Sequence, residues 1–189
     1  MNMQSATSNE DLTRLAIAVS GTVQIEQISL IEFSAMRQPE IEAMAVAVKH
    51  AAPEVAAQLE RQKNRITVKA KFGVEGSDST GNEPRTILRI HASFLATYAL
   101  EPSDSGTITP EQTDAFGKVN GLFNIWPYWR ELVQSITTRM ALPPLTLPVL
   151  HVMGNAQRDD VKNDADLQPR TTEHTKTPPK SRRAISRKG

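Results

Sequence analysis

Cysteine is absent from all 189 residues. That excludes disulfides, thiolate catalysis and cysteine zinc sites, and it permits a cytosolic setting. No apolar run approaches the ~20 residues a membrane span needs, because charge or proline interrupts each one. The opening residues MNMQSATSNEDLTR lack a basic stretch followed by an apolar core, so no secretory signal is expected there. Aromatic residues make up only 5% of the chain, and four of the nine fall within Phe123–Trp129. Neither charge sign dominates, since the formal net charge is +1. The distribution is uneven, however. Residues 154–189 hold nine Lys/Arg against five Asp/Glu, which leaves thirteen basic and sixteen acidic groups before them. A mildly acidic body therefore carries a basic tail.

Catalytic patterns are missing as well. His50, His91, His151 and His174 have no metal-ligand spacing, and no phosphate-cradling glycine loop, zinc protease motif or nucleophile elbow occurs. The expectation is a protein with no catalytic residue, no metal and no cofactor.

The sequence that is present divides into a short helix, a run of strands, a long helix and a polar end. Asp11–Ser20 reads as helix, with Asn9 fitting the N-cap and Gly21 the stop. Four strands follow. In Thr22–Ala35 the apolar phase slips twice, from Val23 and Ile25 to Ile28 and Leu30, then to Ile31 and Phe33, which predicts bulges. Ile41–Lys49 alternates through Met44, Val46 and Val48, although its alanines also suit a helix. Pro53–Gln62 reads as one or two helical turns with proline in the first. Ile66–Val74 and Arg85–Leu100 alternate cleanly around a polar loop, so a long hairpin with one covered face is expected.

Thr109, Pro110 and Gln112 then form a complete helix-start signal, a capping box with proline in the first turn. Leu122, Ile125, Trp126, Trp129, Leu132, Val133, Ile136 and Met140 continue one apolar helical face. Gly121 and Pro127 predict a kink or break near residues 119–127. Leu142–Leu150, with three prolines in six positions, is extended and apolar. From Gly154 onward the composition is that of a disordered tail.

Two stretches carry a family resemblance. Phe123-Asn-Ile-Trp-Pro-Tyr-Trp-Arg-Glu131 and Thr138-Arg-Met-Ala-Leu-Pro-Pro-Leu-Thr-Leu-Pro-Val149 resemble the SecB family, in which an aromatic-Pro-Tyr-x-Arg-Glu core on a long helix precedes a Pro/Leu-rich linker. Pro127, Tyr128, Arg130 and Glu131 match the first part, and Pro143, Leu145, Leu147 and Pro148 the second. Val23-Gln-Ile-Glu-Gln-Ile28 resembles the family's first strand.

The resemblance implies an α+β fold, a four-stranded antiparallel sheet with a long helix packed on one face. Residues 22–153 would form the chaperone domain, residues 1–21 an N-terminal extension and residues 154–189 the tail. It also implies a cytoplasmic homotetramer, a dimer of dimers. Such an assembly holds unfolded or precursor polypeptides in hydrophobic grooves without ATP, for protein export or for one dedicated client such as an antitoxin. Phe33, Met36, Leu142, Leu145, Leu147, Val149 and Leu150 are the groove candidates. Trp126, Tyr128, Trp129, Leu132 and Ile136 suit the core or an oligomer interface. Glu32 is the residue offered for docking the export motor SecA. The family's second helix has no recognisable counterpart after the linker, and the matching stretch of the fourth strand, Leu88-Arg-Ile90, lacks an acid. A nucleic-acid adaptor working through Lys176–Lys188, with six positive and no negative residues, is the alternative from another class.

Overall fold

The computed structural model describes residues 8–38, 46–78, 85–104 and 106–150. Helix α1 spans Asn9–Ser20 and begins at Ser8, whose side chain accepts from the Asp11 N–H. Asn9 is thus the first helical residue and not the cap, because the serine before it reaches the same N–H. Gly21 closes the helix, and Ala16 and Val19 are buried.

Five strands make one antiparallel sheet: β1 Val23–Arg37, β2 Val46–His50, β3 Glu54–Glu60, β4 Arg65–Asp78 and β5 Arg85–Leu100. The order is β1-β5-β4, with β2 and β3 following one another along the outer edge of β4. The helix expected over Pro53–Gln62 is therefore strand over Glu54–Glu60, with only Arg61 and Gln62 in a helical turn. Helix propensity in EVAAQLE yields to pairing with β4, where Val55 lies opposite Ala70 and Leu59 opposite Ile66. A 3-10 turn, Arg61–Lys63, and Asn64 in the left-handed region (φ 48°) reverse the chain into β4.

The hairpin of β4 and β5 forms along its whole length, from Arg65 opposite Ala99 to Asp78 opposite Arg85. Even-numbered residues of both strands face the helices, and odd-numbered ones face outward. In β1 the register shifts between Ile25 and Gln27 and again between Leu30 and Glu32. These two bulges are the phase slips seen in the sequence. Each returns apolar side chains to the helix side, so that Leu30 sits opposite Phe94 and Phe33 opposite Ala92.

Helix α2, Pro110–Phe116, starts with the full capping box: Thr109 accepts from the Gln112 N–H, and Gln112 accepts from the Thr109 N–H. Thr109→Ala is expected to cost ~1 kcal/mol, read as a small fall in thermal midpoint. A π-helical turn, Gly117–Gly121, joins α2 to α3, Leu122–Arg139. The expected disturbance falls on this turn, and α3 runs unbroken through Pro127, which sits on its exposed side. Both glycines bring the helix backbone close to the sheet. A Cβ at Gly117 would lie 2.5 Å from the Ala57 Cβ, and one at Gly121 would lie 2.7 Å from Val68 Cγ1.

The core lies between this face of the sheet and the helices. Trp129 stacks on Phe72 with centroids 5.3 Å apart, Phe94 meets Phe72 edge-on at 5.9 Å, and Phe116 meets Tyr98 edge-on at 4.9 Å. Burial raises the Tyr98 phenol pKa, and the Asn124 amide donates to its oxygen at 3.2 Å. Residues 41–45 of the expected second strand and residues 154–189 of the expected tail lie outside the described residues. Among the described residues no helix is long and apolar enough to cross a membrane.

Candidate functional site

Among the described residues strand β1 is bonded on one side only, to β5, and so forms an edge of the sheet. It carries five large apolar side chains that remain 40–48% exposed: Ile25, Leu30, Ile31, Phe33 and Met36. Leu30 and Phe33 face the helix side, whereas Met36 lies opposite Arg89 on the outer side. The hydrophobic core is meanwhile filled by β4, β5 and α3. Phe33 and Met36, expected from the sequence as groove residues, are thus accessible, together with Ile25, Leu30 and Ile31. The last three were overlooked because alternation alone places them inside; only the edge position leaves them open.

The Pro/Leu segment after α3 is extended, and it is held. Ala141 takes the left-handed conformation (φ 53°), and the chain turns back along the helix. The Leu142 N–H donates to the Thr137 carbonyl at 3.0 Å and the Leu145 N–H to Thr137 Oγ1 at 3.1 Å. Arg130 Nε donates to the Leu147 carbonyl at 3.0 Å and Trp126 Nε1 to the Pro148 carbonyl at 3.1 Å. Leu147 is buried at 1% exposure, Leu142 and Leu145 pack partly against the core, Leu150 is half-buried and Val149 is 62% exposed. Arg37 Nη1 donates to the Met140 carbonyl and ties the end of α3 to β1.

The aromatic cluster is divided. Trp129 is core, Trp126, Leu132 and Ile136 pack partly against it, and Tyr128 and Phe123 are at least half exposed. The roles of Trp126 and Arg130 as clamps on the segment were not legible in the sequence. Their spacing with Thr137, four and then seven residues, was the available signal, since it places all three on one helix flank.

Glu32 lies on the outer face of the sheet, where the Ser93 hydroxyl donates to it at 3.1 Å. With Ser34, His91, Lys71 and Glu54 it borders a shallow bowl of about 310 Å³ over Gly73. The surroundings are of mixed charge. Arg89 pairs with Glu75 at 2.7 Å, Arg65 with Glu26 at 3.0 Å and Lys71 with Glu54 at 3.6 Å. Among the described residues no cluster of His, Asp or Glu suits a metal ion.

No family model matches the chain. Over 42 residues it is 48% identical to the SecB-like chaperone Rv1957 of Mycobacterium tuberculosis H37Rv and to the SecB-like chaperone MT2006 of strain CDC 1551. That stretch is 22% of this chain and spans under a quarter, 23%, of each curated relative. The structure also superposes on Mycobacterium tuberculosis Rv1957, a SecB-like chaperone solved in complex with a ChAD peptide from the Rv1956 HigA1 antitoxin. The TM-score is 0.62 at 24% identity, over 73% of this chain and 97% of that one.

The fold is SecB-like. In this fold α3 and the Pro/Leu segment pack against one face of the sheet, at whose edge β1 runs. The relatives bear the name chaperone.

Proposed function

We propose that this protein is an ATP-independent holdase, which binds unfolded polypeptide through apolar surface and acts by mass action. The observation that carries the reading is the set of large apolar side chains left exposed on the edge strand β1, Leu30 and Phe33 on the helix side and Met36 on the outer side, together with Ile25 and Ile31. Contiguous apolar surface on a water-soluble face marks binding, and methionine and phenylalanine adapt to varied side chains. A partner that captures the unfolded state lowers its free concentration and so slows aggregation.

The family resemblance further suggests a homotetramer. A solution mass of about 83 kDa, four times the 20.8 kDa chain, is the expected result, and a monomer's mass would contradict it. A dedicated client of the antitoxin kind gains support from the relative solved with an antitoxin peptide. Delivery to the export motor rests on Glu32 alone, in a bowl that Lys71 and His91 also line.

The test is aggregation of a chemically denatured client after dilution. Stoichiometric tetramer is expected to suppress the light scattering, and Phe33→Asp to abolish most of the effect by placing a charge among these apolar side chains. Undiminished scattering with the wild-type protein removes the reading.

A further inference from the structure

The segment from Leu142 to Leu150 is bound as a peptide would be. Side chains on one flank of α3 satisfy its backbone: Thr137 Oγ1 takes the Leu145 N–H, while Arg130 and Trp126 donate to the Leu147 and Pro148 carbonyls. Leu145 and Leu147 point toward the core, two residues apart, while Thr146 and Pro148 between and beyond them are exposed. Extended-peptide recognition combines main-chain bonds for affinity with alternate side-chain pockets for specificity. Both parts are present here. Three prolines also keep the segment extended and out of the helix that precedes it.

We propose that this flank of α3 is a cradle for an extended apolar client segment with a leucine-sized side chain at every second residue. Residues 142–150 are its resident occupant, a strap that such a client displaces. The inference rests on the holdase reading and names where and how that site takes its partner. Two features suit a displaceable strap. It has a single fully buried anchor, Leu147, and it enters the cradle through Ala141, a residue whose Cβ disfavours the left-handed turn it occupies. Release leaves α3 and the sheet intact, because the strap belongs to neither. A tethered strap competes at an effective concentration set by its short connection, so it lowers the apparent client affinity by the fraction of protein in the open form.

The experiment uses a fluorescein-labelled peptide of the strap's own sequence, LPPLTLPVL, titrated against the full-length protein. Leu147→Ala removes the anchor and is expected to tighten binding of the added peptide by about tenfold. Arg130→Gln added to the Leu147→Ala variant, whose strap has lost its anchor, weakens the cradle itself and is expected to reduce the affinity gained. The chain holds two tryptophans, and only Trp126 bonds to the strap. Peptide exchange is therefore expected to shift the emission of wild type and not of Trp126→Phe. Should Leu147→Ala fail to fold, Leu145→Ala, at a partly buried position, gives the same sign with a smaller change.

Equal or weaker peptide binding by a folded strap variant overturns the strap. If wild type still suppresses client aggregation in that case, the holdase reading stands without it. If wild type suppresses none, both fall.

Discussion

Trp129→Ala is expected to lower stability by about 3–5 kcal/mol, the largest single effect in the protein. The indole is 1% exposed and stacks at 5.3 Å and 15° on Phe72, which itself contacts Phe94 and Trp126. Truncation removes that apolar burial and leaves a cavity under α3. The sheet cannot collapse to fill it, since β4 and β5 are bonded over fourteen pairs. Denaturant unfolding should show a lower midpoint with an unchanged slope. A fall in midpoint corresponding to less than about 1 kcal/mol would mean that α3 is not seated on the sheet at Phe72. Tyr128→Ala serves as the contrast, because its ring is 50% exposed and its loss should cost far less.

The second large effect runs against propensity. In an isolated helix, Gly117→Ala gains about 1 kcal/mol. Here the new Cβ would lie 2.5 Å from the Ala57 Cβ, on a strand that is itself fixed to β4. A backbone must move, and overpacking of this kind costs typically about 1–3 kcal/mol, so net destabilisation is expected. Gly121→Ala meets Val68 Cγ1 at 2.7 Å, where a β-branched side chain at 0% exposure has little freedom to turn away. The pair Gly117→Ala with Ala57→Gly restores the lost space. A double-mutant cycle of thermal midpoints should therefore give a favourable coupling, whereas additive losses would show that the two positions do not touch.

These close approaches mark where sequence reading stopped. The hairpin of β4 and β5, the slips in β1 and the capping box at Thr109 depend on neighbours two to four residues apart, so local pattern reveals them. Strand β3 does not. Its alanines favour a helix, and only the free edge of β4 makes it a strand. Gly121 and Pro127 together predict a kink near residues 119–127; of the two it is the glycine end that is irregular, at Gly117–Gly121, where contact with the sheet demands small residues, while α3 continues through Pro127.

The candidate site was legible in the same uneven way. Phe33 and Met36, groove candidates by the family resemblance, are 40% exposed on β1. Leu147 entered with the other leucines of the Pro/Leu segment, yet it alone of that segment is fully buried. The distinction arises from Arg130 and Trp126 holding the backbone around it, a tertiary arrangement with no trace in a list of apolar residues. Arg130, which the sequence offers only as a match to the family motif, holds the carbonyl of Leu147 in the fold.

Capture of unfolded chain is the centre of the account, and direct binding tests it most simply. The full-length protein is mixed with a client kept permanently unfolded by reduction and alkylation, and separately with the native form of the same client, and sedimentation follows each mixture. The account predicts a saturable complex with the unfolded form, none with the native form, and loss of the complex in Phe33→Asp. Equal binding to both forms, or no complex with the unfolded one, would contradict it.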